Sequence, residues 1–273
     1  MTLISSTSNP KIKQVRALRQ RKARQESGTF LVEGIHPVGE AVAAAAAGHR
    51  TRIEMIVYAP DLLSSDFALR LVAEQVQAGI SCYPTTAEVF ESIADKDNPQ
   101  GVLAVVRQAQ PDITYLNPGN FPWGVALVAP QDPGNLGTIL RTIDAVGADG
   151  LILLESSVDP YHPSVVRASM GALFWHPVVS ATFNEFAHWA KQHSYHLYGS
   201  SAHAAIDHQQ ITAYQRPCIL LLGSERQGLT NEQAGLCDTM ICLPMHGRVT
   251  SLNLAVASGV LLYDMLTKFG SEL

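Results

Sequence analysis

Apolar positions in the first hundred residues fall into short runs and helical stripes. Ile12, Val15 and Leu18 keep helical spacing after Asn9-Pro10, a capping residue followed by a proline suited to a first turn, and they predict one helix reaching Arg24. Phe30 to Gly34 reads as a strand and turn, the alanine-rich His36 to Ala47 as a helix ended by Gly48, and Ile53 to Tyr58 as a strand. Phe67 to Gln77, closed by Gly79, and Thr86 to Ile93 predict helices, and Gly101 to Val106 an apolar strand. This alternation predicts a small α/β domain over residues 1–107. Between 108 and 122 the chain gathers Pro111, Asn117, Pro118, Gly119, Asn120 and Pro122, the composition of a linker.

From 123 to 273 the pattern is a second α/β domain. Val125 to Ala129, Leu151 to Leu154, Tyr195 to Gly199, Cys218 to Leu222 and Thr239 to Leu243 predict strands. Leu136 to Val146, Pro163 to Leu173, Phe183 to His193, Asn231 to Cys237 and Leu254 to Leu266 predict helices. Strands this apolar suit a parallel sheet covered on both faces. The last strand passes through a polar loop with Gly247 into the last helix, and Ser251 stands at the capping position. A strand, a polar loop and a helix start form a natural ligand site in an open α/β fold, with free backbone N–H groups for a polar or anionic group.

Charge changes this picture in one place. The chain is net acidic at −5, yet Lys11, Lys13, Arg16, Arg19, Arg21, Lys22 and Arg24 follow one another with no acid before Glu26. A solvated helix face would account for them. Their concentration in an acidic chain favours phosphate contacts, above all by Lys11, Lys13, Arg16, Arg19 and Lys22. The four cysteines form no CxxC pair and read as small core residues of a reducing compartment. With 47% hydrophobic and 16% charged residues, a globular protein with a real core is expected. No secretory signal or membrane span is apparent, so a cytoplasmic protein without membrane attachment is expected. The ten histidines show no metal-ligand spacing and no Gly-rich dinucleotide fingerprint occurs, so neither a metal nor a nicotinamide cofactor is expected.

Three stretches carry the chemistry: Asp132 to Thr142 (DPGNLGTILRT), Leu222 to Leu229 (LGSERQGL) and Leu243 to Ala255 (LPMHGRVTSLNLA). In this order they closely resemble the three motifs of the SpoU (TrmH-like) branch of the SPOUT methyltransferases. The resemblance covers Trp123 to the C-terminus and, more loosely, the first third, where Phe30 to Gly34 and Gln100 to Ala104 are similar to the L30e-like module that precedes the catalytic domain in many such proteins. It implies a deep C-terminal trefoil knot, S-adenosyl-L-methionine as cofactor, transfer to a ribose 2′-hydroxyl of RNA, and a homodimer with sites near the subunit interface. Ribosomal RNA stands ahead of transfer RNA as substrate. Where the family often has a serine two residues after Asn253, this chain has Ala255.

On the residues alone, Arg141 reads as a surface ion pair with Asp144, although Gly134, Gly137 and Thr138 leave its helix face open to a bulky ligand. The resemblance makes Arg141 the first choice for the catalytic centre, either as a base activated by an RNA phosphate or as a phosphate clamp; arginine's reluctance to deprotonate favours the clamp. Asn135 reads as a helix cap and Glu225 as a solvated loop carboxylate; by resemblance both orient groups at the site, joined by Ser251 and Asn253. The cofactor would lie on Leu222, Gly223, Leu243, Met245 and Leu252, with Ser200 and Ser201 beside it. The small residues Ala255, Ala257, Ser258 and Gly259 allow close helix contact, within one chain or across the implied dimer. The rival from another class is a non-catalytic RNA-binding or ribosome-assembly protein that keeps the methyltransferase fold.

Overall fold

The side-chain oxygen of Asn9 accepts a hydrogen bond from the Lys11 amide, and with Pro10 next the first helix, α1 (Pro10–Ala17), starts where the capping pair predicts. A computed structural model describes residues 2–95, 98–109 and 111–269. The single basic helix expected to Arg24 is in fact two, α1 and α2 (Arg21–Ser27), broken at Leu18–Gln20. The reason is Arg24. Its guanidinium is buried, 1% exposed, and donates to the carbonyls of Leu18 and Arg19 that the break leaves without helical partners. Then follow β1 (Thr29–Glu33), α3 (Ile35–Ala46), β2 (Arg52–Tyr58), α4 (Asp66–Gln77), β3 (Ser81–Pro84), α5 (Ala87–Glu91) and β4 (Val102–Arg107). The sheet order is β1-β4-β2-β3, antiparallel except for the β2–β3 pair.

The chain continues with β5 (Trp123–Val128), α6 (Pro133–Val146), β6 (Gly150–Leu154), α7 (Pro163–Ala168), α8 (Ala172–Trp175), β7 (Val178–Ala181), α9 (Phe183–Gln192), β8 (His196–Ser200), β9 (Ile206–Asp207), β10 (Cys218–Leu222), α10 (Asn231–Leu236), β11 (Thr239–Cys242) and α11 (Leu254–Lys268). Two compact units result: Met1–Ala109 with Tyr161–Trp175, and Gln110–Pro160 with His176–Leu273. The first unit therefore takes in an excursion from the second half of the chain. Within it Tyr161 packs on Phe30, the Trp175 indole donates to Glu40, and Arg167 pairs with Asp95 at 2.7 Å. The one helix expected over Pro163 to Leu173 is two short ones, because Met170 and Gly171 take positive φ angles of 51° and 103°.

The stretch read as a linker is also different. It holds a 3-10 turn at Ile113–Tyr115, and Ile113, Leu116 and Phe121 are buried in the core of the second unit. The Trp189 indole donates to the Leu116 carbonyl and the Tyr195 hydroxyl to that of Phe121. The prolines and asparagines rule out a long regular element, but large apolar side chains anchor the segment.

The second unit is built on a seven-stranded sheet, β7-β6-β5-β10-β8-β11-β9, with every pair parallel. All residues of β5, β6 and β10 are buried, as a parallel sheet flanked by helices requires. From β5 the chain builds outward to β6 and β7, then returns to build β8, β10 and β11 on the other side. That reversal places the ends of β8, β10 and β11 side by side, with Leu222 opposite Ser200 and Ser200 opposite Ile241. Crevices at such points hold ligands in open α/β sheets. Among the described residues no helix is long and apolar enough to cross a membrane.

Candidate active site

A cavity of about 320 Å³ lies at the ends of these three strands. Ser200 follows β8, Leu222 and Gly223 end β10, and Leu243, Met245 and Leu252 follow β11; all six line the cavity, as do Ser201 and Ser251. Its walls are leucine and methionine and its rim is hydroxyl and carboxylate, a lining and a size suited to a nucleoside. His203, Arg226 and Thr250 also line it and were not singled out from the sequence; their signal was adjacency to residues that were.

Gly223 has a different reason than ligand approach. A Cβ there would overlap the backbone of Gly228 and Leu229. The loop from Ser224 to Gly228 folds back over the strand end, closed by the Gly228 amide on the Ser224 carbonyl at 2.9 Å.

Beside the cavity, side chains from all three motifs join in one hydrogen-bonded chain. Asn253, not Ser251, caps α11: its Oδ1 accepts from the amides of Ala255 at 2.9 Å and Val256 at 3.3 Å. With its oxygen so engaged, its Nδ2 donates to Asn135 Oδ1 at 2.9 Å. Asn135 Nδ2 in turn donates to Glu225 at 3.4 Å. Glu225 also accepts from the amides of Gln131 at 3.3 Å and Asp132 at 3.4 Å. Each amide orientation follows from the one before, so the chain runs one way, from the cap of α11 to the Glu225 carboxylate. Asn135 is not the cap of α6. Asp132 is, accepting from the Asn135 amide at 2.7 Å, with Pro133 at the first helical position, the same signal that Asn9-Pro10 carries.

Arg141 is exposed on α6, and no hydrogen bond or ion pair joins it to another described residue. The expected partner Asp144 faces His176 instead, at 2.8 Å. Arg141 is also not among the residues that line the cavity of its own chain. The small residues of α11 split: Ala255 and Ser258 are buried, on a helix that packs against α6, whereas Gly259 opens to free space.

The basic residues of the first unit divide by role. Arg24 is structural, Arg19 donates to the Ile93 and Ala94 carbonyls, and Arg16 donates to Ser92 at 3.0 Å. Lys11, Lys13 and Lys22 are exposed, Lys22 with only a 3.8 Å contact to Glu26. Burial pushes the Cys218 and Cys237 thiols up to about 12, Cys218 within the core and Cys237 half-buried against it. Among the described residues no three His, Cys, Asp or Glu side chains converge on a metal position.

Residues 122–263 match the family described as SpoU rRNA Methylase, and residues 9–104 match the MRM3-like substrate binding domain. The chain belongs to the SpoU rRNA methylase family. It is 29% identical to the 23S rRNA (guanosine(2553)-2′-O)-methyltransferase RlmP of Bacillus subtilis, over 97% of this chain and 99% of that one. It is 31% identical to a 23S rRNA (uridine(2479)-2′-O)-methyltransferase of Streptomyces viridochromogenes, over 95% of this chain and 90% of the relative. Among solved structures, an AdoMet-bound rRNA methyltransferase from Sinorhizobium meliloti superposes with a TM-score of 0.86 at 32% identity, covering 97% of each chain.

Proposed function

We infer that this protein is an S-adenosylmethionine-dependent RNA methyltransferase acting on a ribose 2′-hydroxyl, with ribosomal RNA as its substrate. The observation that carries this reading is the joining of three distant motifs, Asn253 to Asn135 to Glu225, beside a nucleoside-sized cavity. The two 23S rRNA methyltransferases above are named for a guanosine and a uridine. What they share is the ribose, which fits a machinery built around the hydroxyl and not the base.

When bound, the cofactor supplies a methyl group on a sulfonium, ready for in-line displacement. The apolar walls Leu222, Leu243, Met245 and Leu252 would hold its adenosine, and Ser200 and Ser251 would offer hydroxyls to its polar groups. Asn135 and Asn253 fix the start of α6 against the start of α11. Glu225 is occupied by N–H donors, which suits a positioning carboxylate more than a proton acceptor. Arg141, paired with no carboxylate among the described residues, clamps a phosphate and thereby aims the hydroxyl.

The match to a substrate-binding domain supports RNA contact by the first unit. Replacing Lys11, Lys13 and Lys22 with glutamine is expected to flatten the dependence of log RNA affinity on log salt by about 2, at roughly 0.7–0.9 for each phosphate no longer neutralised. Cofactor affinity is expected to stay put. An unchanged slope in filter-binding titrations from 50 to 300 mM salt, roughly the range where such contacts respond, would reduce these lysines to a solvated face.

The protein acts as a homodimer. Val256, Val260 and Tyr263, 52%, 41% and 51% exposed, lie at positions i, i+4 and i+7 of α11 and form one apolar stripe. Arg141 stands outside the cavity of its own chain, so a second copy is what brings it to a cofactor. Val260→Asp is expected to convert a species of twice 29.5 kDa into one of 29.5 kDa in analytical ultracentrifugation and to abolish turnover. A dimer that survives this change would move the interface elsewhere. The trefoil threading after β11 is the remaining part of the fold that this reading includes, in keeping with β10 lying between β5 and β8. Four unpaired cysteines suit its placement in the cytoplasm.

The test is a methyl-transfer assay with labelled cofactor on total RNA. Label is expected in ribosomal RNA, at a linkage resistant to alkaline hydrolysis because its 2′-oxygen is blocked. RNA binding without transfer would favour the non-catalytic alternative.

A further inference from the structure

Two walls of the cavity belong to different elements. The loop after β8 contributes Ser201, Ala202 and His203, and the start of α11 contributes Leu254 and Ala257. The loop is lightly held. No residue from 201 to 213 is buried, and β9 makes only the two-residue pairing of Ile206 and Asp207 with β11. Farther along, one carboxylate ties the loop to the helix. Asp264 on α11 accepts from the Tyr214 hydroxyl at 2.7 Å, and Lys268 Nζ lies 2.7 Å from its other oxygen. His208 Nδ1 lies 3.2 Å from that same oxygen, within ion-pair reach but off line for a hydrogen bond. Lys268 also donates to the His208 carbonyl at 2.7 Å. The side chains of Asp264, His208 and Lys268 are only 12%, 15% and 22% exposed, and Tyr214 is buried. Burial disfavours the Asp264 charge, but hydrogen bonds from Lys268 and Tyr214, with the His208 ring close by, outweigh it and hold the carboxyl below its usual range.

We propose that Asp264 is a positioning residue for the cofactor: through Tyr214, His208 and Lys268 it holds the 201–214 segment to α11 and so fixes the wall formed by Ser201, Ala202 and His203. A shielded carboxylate with three partners on two segments is a stiff joint, and losing its charge releases several contacts at once. Nothing in the three family motifs includes these residues. The proposal rests on reading the cavity as the S-adenosylmethionine site.

The experiment titrates the full-length protein with S-adenosylmethionine in a calorimeter and measures steady-state rates on the same preparations. Asp264→Asn, nearly isosteric, is expected to weaken cofactor binding about tenfold, and Tyr214→Phe about threefold. KM for the cofactor should rise in parallel, while kcat at saturating cofactor stays within about twofold of wild type. Tyr195→Phe is the control: it removes a buried hydrogen bond to the Phe121 carbonyl, so its melting temperature should fall with cofactor affinity intact. Wild-type affinity in a folded Asp264→Asn or Tyr214→Phe protein would overturn the proposal, as would equal weakening by Tyr195→Phe. Failure of the wild type itself to bind the cofactor would instead overturn the reading of the cavity.

Discussion

Arg141→Ala is expected to cut methyl transfer by about a hundred- to a thousandfold, the usual cost of removing one preorganised charged group from a transition state. Cofactor affinity should change little, because the apolar walls that would hold the adenosine, Leu222, Leu243, Met245 and Leu252, are left intact. The fold should survive as well: the guanidinium is exposed and bonded to no described residue. A cation paired with no carboxylate among the described residues is held ready for an external anion, since a protein partner would have to be displaced first. Arg141→Lys separates clamp from point charge. A planar fork gripping a phosphate is replaced poorly by an ammonium, so lysine should recover only a small part of the activity. Calorimetry with the cofactor and single-turnover rates on one preparation decide the matter. A folded Arg141→Ala protein turning over at the wild-type rate would remove Arg141 from the catalytic centre.

Much of this site was legible because its residues sit where a strand stops and polarity begins. Leu222, Leu243 and Ser200 each close an apolar run, and each lines the cavity. What chain order does not carry is which strand ends are neighbours: β10 lies between β5 and β8, although it follows both. The cap of α11 was misplaced by two residues because Ser251 and Asn253 both have capping side chains, and the choice depends on where the first helical turn closes. Arg24 was hidden for another reason. As part of a basic run it looks like a phosphate contact, yet from within the core its guanidinium satisfies the Leu18 and Arg19 carbonyls, a role no charge pattern announces. The stripe Val256, Val260 and Tyr263 has no sequence signal of its own, because α11 is apolar nearly all round and only burial tells its inner face from its outer one.

Gly223→Val is expected to abolish cofactor binding, with affinity reduced by more than about a hundredfold, and to lower the melting temperature by several degrees, the scale of overpacking at about 1–3 kcal/mol. The cause lies in the protein backbone. Any Cβ at 223 overlaps Gly228 and Leu229, so the turn from Ser224 to Gly228 must lift away from the end of β10. Gly228 takes a φ of +66°, so the turn has little freedom to re-form around a new side chain. Lifting it carries Glu225 away from the amides of Gln131 and Asp132 and from Asn135, and opens the cavity wall that Gly223, Ser224 and Glu225 provide. Gly223→Ala tells this cause from a purely ligand-side one. If the backbone contact governs, a single methyl is already too much, and the alanine protein should lose both thermal stability and cofactor affinity. Should Gly223→Ala bind the cofactor normally at an unchanged melting temperature while Gly223→Val does not, the space beside Gly223 belongs to the bound nucleoside and the turn has adapted.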